Sequence, residues 1–300
     1  MTDVVWFGMS DTGLVRKTNQ DRFTGNSTTG VFVVADGVAG APAGEVAAQQ
    51  VVDVLPGRLE SLDEPIDGTR VASALALLSG EVSAAGQGTD RQGMGSTAVA
   101  MIVTDRDAVV AHLGDSRAYL YRDGHVSQIT RDHTYAEDLI ASGDVSRERA
   151  ERVHGLKGVS RFVGMSGDAV PDVTRVQFTA GDRMLVCTDG LTNMLDPVQI
   201  DSVLAAAGTA EEACRKLVGE ALRAGGGDNV TVLVVDRIVP AIAAVDRLRA
   251  GVRSPAVMPT ALAVAFVVAA AGGVALGRAA RRAYRRGHHA AGPIDGRGER

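Results

Sequence analysis

The chain has 300 residues, 45% hydrophobic and 22% charged, a composition that excludes disorder and suffices for one large domain or two. Residues 238–300 carry ten arginines against three acidic residues, which leaves 21 basic and 33 acidic residues, a balance of −12, for residues 1–237. So acidic a body argues against nucleic-acid binding and against a metal-dependent nuclease, because such surfaces need basic patches. Two cysteines, Cys187 and Cys214, give no disulfide framework and suit a reducing compartment. Met1 to Ser10 contains Asp3 and lacks both a basic start and an apolar core, so no secretory signal is expected and the body should lie in the cytoplasm.

In chain order, apolar runs bounded by turn residues predict strands over 4–9 and 31–35, and helical periodicity predicts a helix over 45–59 and another over 70–84. Strands follow over 97–103, 108–113 and 118–121, then a polar helix-and-loop insertion from Asp132 to Asp172. Strands over 173–178 and 184–187, a helix over 210–222 and a strand over 230–235 complete the body. Strands in runs with helices grouped around them predict an α+β layering rather than βαβ units. No residue from Ser254 to Gly277 is charged, and "PTALAVAFVVAAAGGVALG" is about the length of one bilayer crossing. The expected organisation is a domain over 1–240, a linker over 241–254, a transmembrane helix over 255–277 and a basic, disordered tail over 278–300. Five arginines after that helix would alone put the C-terminus in the cytoplasm, whereas the lack of an export signal puts the domain there, so the topology stays open.

Several strands stop on an aspartate. In "GVFVVADGVAG" the run Val31 to Ala35 ends at Asp36-Gly37, and in "RMLVCTDGL" another ends at Asp189-Gly190. Asp228 of "GGGDNVTVLVV" stands just before a strand, and Asp115 of "HLGDSRAYLYRDG" lies between two. One Asp-Gly is ordinary turn chemistry. Four strand-end aspartates from distant segments are better read together, since hard divalent cations take oxygen ligands and a cluster around a water-filled cleft supplies them.

With "VRKTNQDRF", "VFVVADGVAG", "GMGSTAVAMIV", "HLGDSRAYLYRDG", "QITRDHT", "VHGLKGVSRFVG", "LVCTDGL" and "GGGDNVTVLVV" in this order over residues 4–237, the chain resembles the metal-dependent protein serine/threonine phosphatases of type 2C. The resemblance implies a four-layer αββα sandwich, with two antiparallel sheets face to face and helices outside, and a dinuclear Mn2+ or Mg2+ centre in a cleft at one edge. It implies that Asp36, Asp189 and Asp228 bind metal directly with the carbonyl of Gly37, and that Asp115 binds a third, weaker ion. Asp21 would orient bound water, and Arg16, whose planar fork matches phosphate oxygens, would clamp the phosphate. His133 is read equally as a cleft group or a packing residue at the start of the insertion. Three departures stand out: Gln20 where many relatives have glutamate, which should weaken the second metal; Val38 and Ala41 where some carry a histidine; and Ser96 for threonine. The expected activity is hydrolysis of phosphoserine and phosphothreonine in proteins, by a monomer whose partners are phosphorylated proteins and whose domain is tethered to the membrane. The alternative is a phosphatase-like scaffold without turnover.

Overall fold

The computed structural model describes residues 3–238, apart from 151–155, 157 and 168. Its strands are β1 (Val4–Asp11), β2 (Arg22–Asn26), β3 (Val31–Ala35), β4 (Ala98–Val103), β5 (Asp107–Leu113), β6 (Arg117–Arg122), β7 (His125–Gln128), β8 (Asp172–Gln177), β9 (Arg183–Cys187) and β10 (Val230–Arg237). The helices are α1 (Gly44–Glu60), α2 (Gly68–Gly86), α3 (Tyr135–Ser142), α4 (Arg147–Ala150), α5 (Asp189–Thr192), α6 (Pro197–Ala206) and α7 (Ala210–Arg223).

Successive residues of a strand point to opposite faces. In β3 all five side chains are buried: Val31, Val33 and Ala35 enter one apolar cluster, Phe32 and Val34 another. β9 divides likewise, with Leu185 and Cys187 on one side and Met184 and Val186 on the other, as does β10 with Val232 and Val234 against Leu233 and Val235. Strands covered on both faces must lie between two further layers, which is why they read as continuous apolar runs. The antiparallel sheets β1-β10-β9-β6-β7 and β2-β3-β4-β5-β8 enclose the shared core, α1 and α2 cover the second sheet, and α6 and α7 cover the first. This is the expected α+β sandwich.

Besides the one-turn α5, three elements depart from the sequence reading. β2 holds Gly25, whose missing side chain leaves room for Trp6 and Phe32, and so carries no apolar run. β7 is a polar edge strand, half-buried at Val126 alone. α6 is started by a capping box in which Asp196 accepts from the Gln199 amide, with Pro197 in the first turn. The expected linker, membrane-spanning helix and basic tail lie outside the described residues. Among those described, no helix is long and apolar enough to cross a membrane.

Candidate active site

Antiparallel pairing brings the strand-end aspartates to one edge. β3 and β5 both pair antiparallel with β4, so they run the same way and deliver Asp36 and Asp115 together. In the other sheet β9 ends where antiparallel β10 begins, with Cys187 opposite Val232, which delivers Asp189 and Asp228. Asp36, Gly37, Asp115, Asp189, Asp228 and Arg16 line one cleft of about 350 Å³. Asp21 sits buried behind it, where the hydroxyls of Thr188 (2.9 Å) and Thr231 (2.7 Å) donate to its Oδ2.

The cleft is unfavourable for its own charges. Burial, followed by the charges of Asp21 and Asp189, pushes the Asp36 carboxyl well above the usual carboxylate range. Asp189 is raised by burial and by Asp228, and Asp115 by burial, Asp189 and Asp132. Asp21 too is raised by burial, against the hydroxyls that stabilise its charge, and its Oδ1 is buried without a hydrogen-bond donor. Neighbouring carboxylates that oppose each other's ionisation, with an orphaned oxygen behind them, form a donor set that a hard divalent cation satisfies. Among the described residues, no thiol or imidazole lines the cleft.

The backbone around these groups is held closely. The Asp36 N–H donates to Thr97 Oγ1 (3.0 Å), and its carbonyl accepts from the Thr97 N–H (2.7 Å) and from the Ser96 hydroxyl (2.9 Å). Ser96 thus performs its contact with the single hydroxyl that either serine or threonine presents. Gly37 packs on the backbone of Gly44 at the start of α1, where any Cβ would collide. Asn229, not singled out from sequence, anchors the opening loop: its side-chain amide donates to the carbonyls of Thr12 (2.8 Å) and Thr18 (2.9 Å) and accepts from the Gln20 N–H (2.8 Å). The loop so held carries Arg16 to the cleft, where Nη2 lies 2.7 Å from Asp228 Oδ2.

Gln20 lines the cleft, with its amide nitrogen donating to Glu45 Oε2 at 2.9 Å. His133 does not line it. Its ring is fully buried, Nδ1 accepts from the Gly114 N–H (3.3 Å), and its backbone N–H donates to the Gly114 carbonyl (3.0 Å), so the packing reading holds. Its Nε2 stands 3.2 Å from Asp172 Oδ2, and its ring stacks on His112 at 4.3 Å. His112, His133 and Asp172 bring ligand atoms within 4.8 Å of one another, but His112 Nε2 lies 2.8 Å from the Arg131 carbonyl and His133 Nδ1 is taken by the Gly114 N–H. The cluster is a structural brace between the Gly114 turn and β8.

Residues 5–230 match the family described as protein phosphatase 2C. The chain is 37% identical over 232 residues to the serine/threonine protein phosphatase PstP of Mycobacterium tuberculosis, a match covering 76% of this chain and 44% of that one. It is 32% identical over 237 residues to the serine/threonine phosphatase stp of Listeria monocytogenes, covering 76% of this chain and 94% of the relative. Among solved structures, the PstP catalytic domain in complex with two manganese ions superposes with a TM-score of 0.69 at 32% identity, covering 79% of this chain and 99% of that one. The chain thus spans less than half the length of the PstP relative, the shared part being the two sheets and the cleft between their ends. With the motif order, the sandwich and the family match all falling on the same residues, this chain belongs to the protein phosphatase 2C family, the metal-dependent serine/threonine phosphatases.

Proposed function

We propose that the cleft hydrolyses phosphoserine and phosphothreonine monoesters in proteins. Asp36, Asp189, Asp228 and the Gly37 carbonyl would hold two Mn2+ or Mg2+ ions, and Asp115 a third, weaker one. Such ions supply Lewis-acid charge stabilisation and a water nucleophile at neutral pH. Arg16 grips the phosphate: its fork reaches the cleft at Asp228 and is exposed enough to turn toward a phosphate oxygen. Asp21 would orient bound water from behind the cleft, its Oδ2 fixed by two threonine hydroxyls and its Oδ1 buried without a hydrogen-bond donor. With Val38 and Ala41 following Gly37, that loop offers no imidazole to protonate the leaving oxygen, and water is the proton source in this reading. The observation that carries this reading is the convergence of four strand-end carboxylates in one cleft, three of them raised by burial and by one another. The uncharged run 254–277 supports a membrane tether for the domain, which fractionation of cells expressing the full chain tests.

The test of activity uses the full chain with p-nitrophenyl phosphate and a phosphothreonine peptide. Turnover is expected with added manganese and is expected to vanish with chelator. Turnover that persists unchanged in chelator overturns the reading.

A further inference from the structure

Beside the cleft, Leu14 and Val15 are each 68% exposed, immediately before Arg16. They do not sit on a loose loop. The Leu14 N–H donates to the Gly226 carbonyl at 2.8 Å, Gly13 lies so close to the Asp228 backbone that a Cβ would collide, and Asn229 binds Thr12 and Thr18 on either side. Two adjacent aliphatic side chains held in water on an anchored loop forgo burial that the same residues would gain against a partner. The cleft lining also includes the apolar residues Val38, Val159 and Phe162. A phosphoryl group held between Arg16 and the aspartates would therefore have apolar residues near it. The body carries a balance of −12, although Arg16 and Lys17 adjoin the ledge and bound ions would offset the cleft carboxylates. An acidic residue beside the phosphorylated one gains no burial on this ledge and approaches a body of its own sign, whereas an aliphatic one is covered by Leu14 and Val15.

Resting on the phosphatase reading, we propose that Leu14 and Val15 form a substrate ledge that selects phosphorylated segments flanked by aliphatic rather than acidic residues. The test compares the full chain with its Leu14→Ser/Val15→Ser variant, in manganese, on three substrates. These are p-nitrophenyl phosphate, which has no flanking residues, a phosphothreonine peptide with Leu and Val beside the phosphothreonine, and the same peptide with Asp and Glu there. The unsubstituted chain is expected to favour the aliphatic peptide by about tenfold in kcat/KM, a difference of about 1.4 kcal/mol. In the variant that preference should fall to about twofold, through KM, with p-nitrophenyl phosphate turnover unchanged. An unsubstituted chain without the preference, or with the opposite one, overturns the proposal. So does a variant that keeps the preference in full, or one that loses p-nitrophenyl phosphate turnover, because the two residues would then be shaping the cleft itself. Failure of the unsubstituted chain on p-nitrophenyl phosphate would instead overturn the phosphatase reading beneath it.

Discussion

Gln20 shows how a single amide sets the charge of the cleft wall. Its Nε2 bonds to Glu45, a contact that lowers the Glu45 carboxyl below the usual range, so Glu45 is a charged neighbour just behind the wall. A glutamate at position 20 would add a further carboxylate to the four aspartates that line the cleft and would lose the donor that now satisfies Glu45. Outer groups of this kind change metal affinity by about 10–100-fold. Gln20→Glu should therefore lower the manganese concentration for half-maximal rate by about tenfold, with little change in maximal rate. It should also lower the melting temperature measured in chelator, because two like charges then adjoin without a cation. Manganese titration of rate, paired with melting curves, checks both; coincident titrations would mean that Gln20 acts only as a turn residue. The sequence flagged Gln20 by resemblance, but nothing in it shows that Glu45, 25 positions away, is its partner.

At the scale of elements, strands buried on both faces were the most legible, since β3, β9 and β10 spell their burial as mostly apolar runs with an aspartate just beyond one end. β2 and β7 were not, because their pairing rests on backbone bonds to neighbours rather than on their own side chains. α6 could have been found from Asp196-Pro197 and Gln199, a capping box that the apolar-period criterion passes over. The brace between the Gly114 turn and β8 was equally invisible, as it depends on register: His112 lies opposite Asp172 across β5 and β8. That brace has a pH signature. Burial, then the proximity of His112, holds His133 down to about 4, against the opposing pull of Asp172, with Arg161 adding to the depression. The unfolded chain takes up a proton near pH 6.5 that the folded chain refuses, so this contribution is complete above about 6.5 and is lost as pH falls toward 4. Between pH 7 and pH 5 it amounts to about 2 kcal/mol. The raised carboxylates of the cleft act in the opposite sense, so the comparison must be with a variant that retains them. Urea unfolding of the native chain and of His133→Asn, whose amide oxygen can still accept from Gly114, should give stabilities that converge by about 2 kcal/mol from pH 7 to pH 5. Parallel curves would count against a buried neutral His133.

For the molecule as a whole, the architecture explains why aspartates so distant in sequence converge. Two antiparallel sheets, each covered on its outer face by helices, leave the shared core open only at its edges, and the strand order puts the ends of β3, β5 and β9 and the start of β10 on the same edge. The core supplies the rigidity, and the ends supply carboxylates whose mutual repulsion a cation would relieve. Much of this could be read from the order of motifs, because each strand and its aspartate are contiguous. Asn229, which positions the opening loop, could not, because its partners at Thr12 and Thr18 are more than 200 residues earlier. The central claim is that these carboxylates jointly bind the ions on which hydrolysis depends. The most direct measurement is calorimetric titration of manganese into the metal-stripped full chain and its Asp189→Asn variant, alongside phosphate release from a phosphothreonine peptide. Two tight equivalents per chain are expected, with release rising as they fill, and the variant should lose at least one equivalent and turn over slower by orders of magnitude while melting as a folded protein. Undiminished manganese binding and undiminished turnover in Asp189→Asn would contradict it.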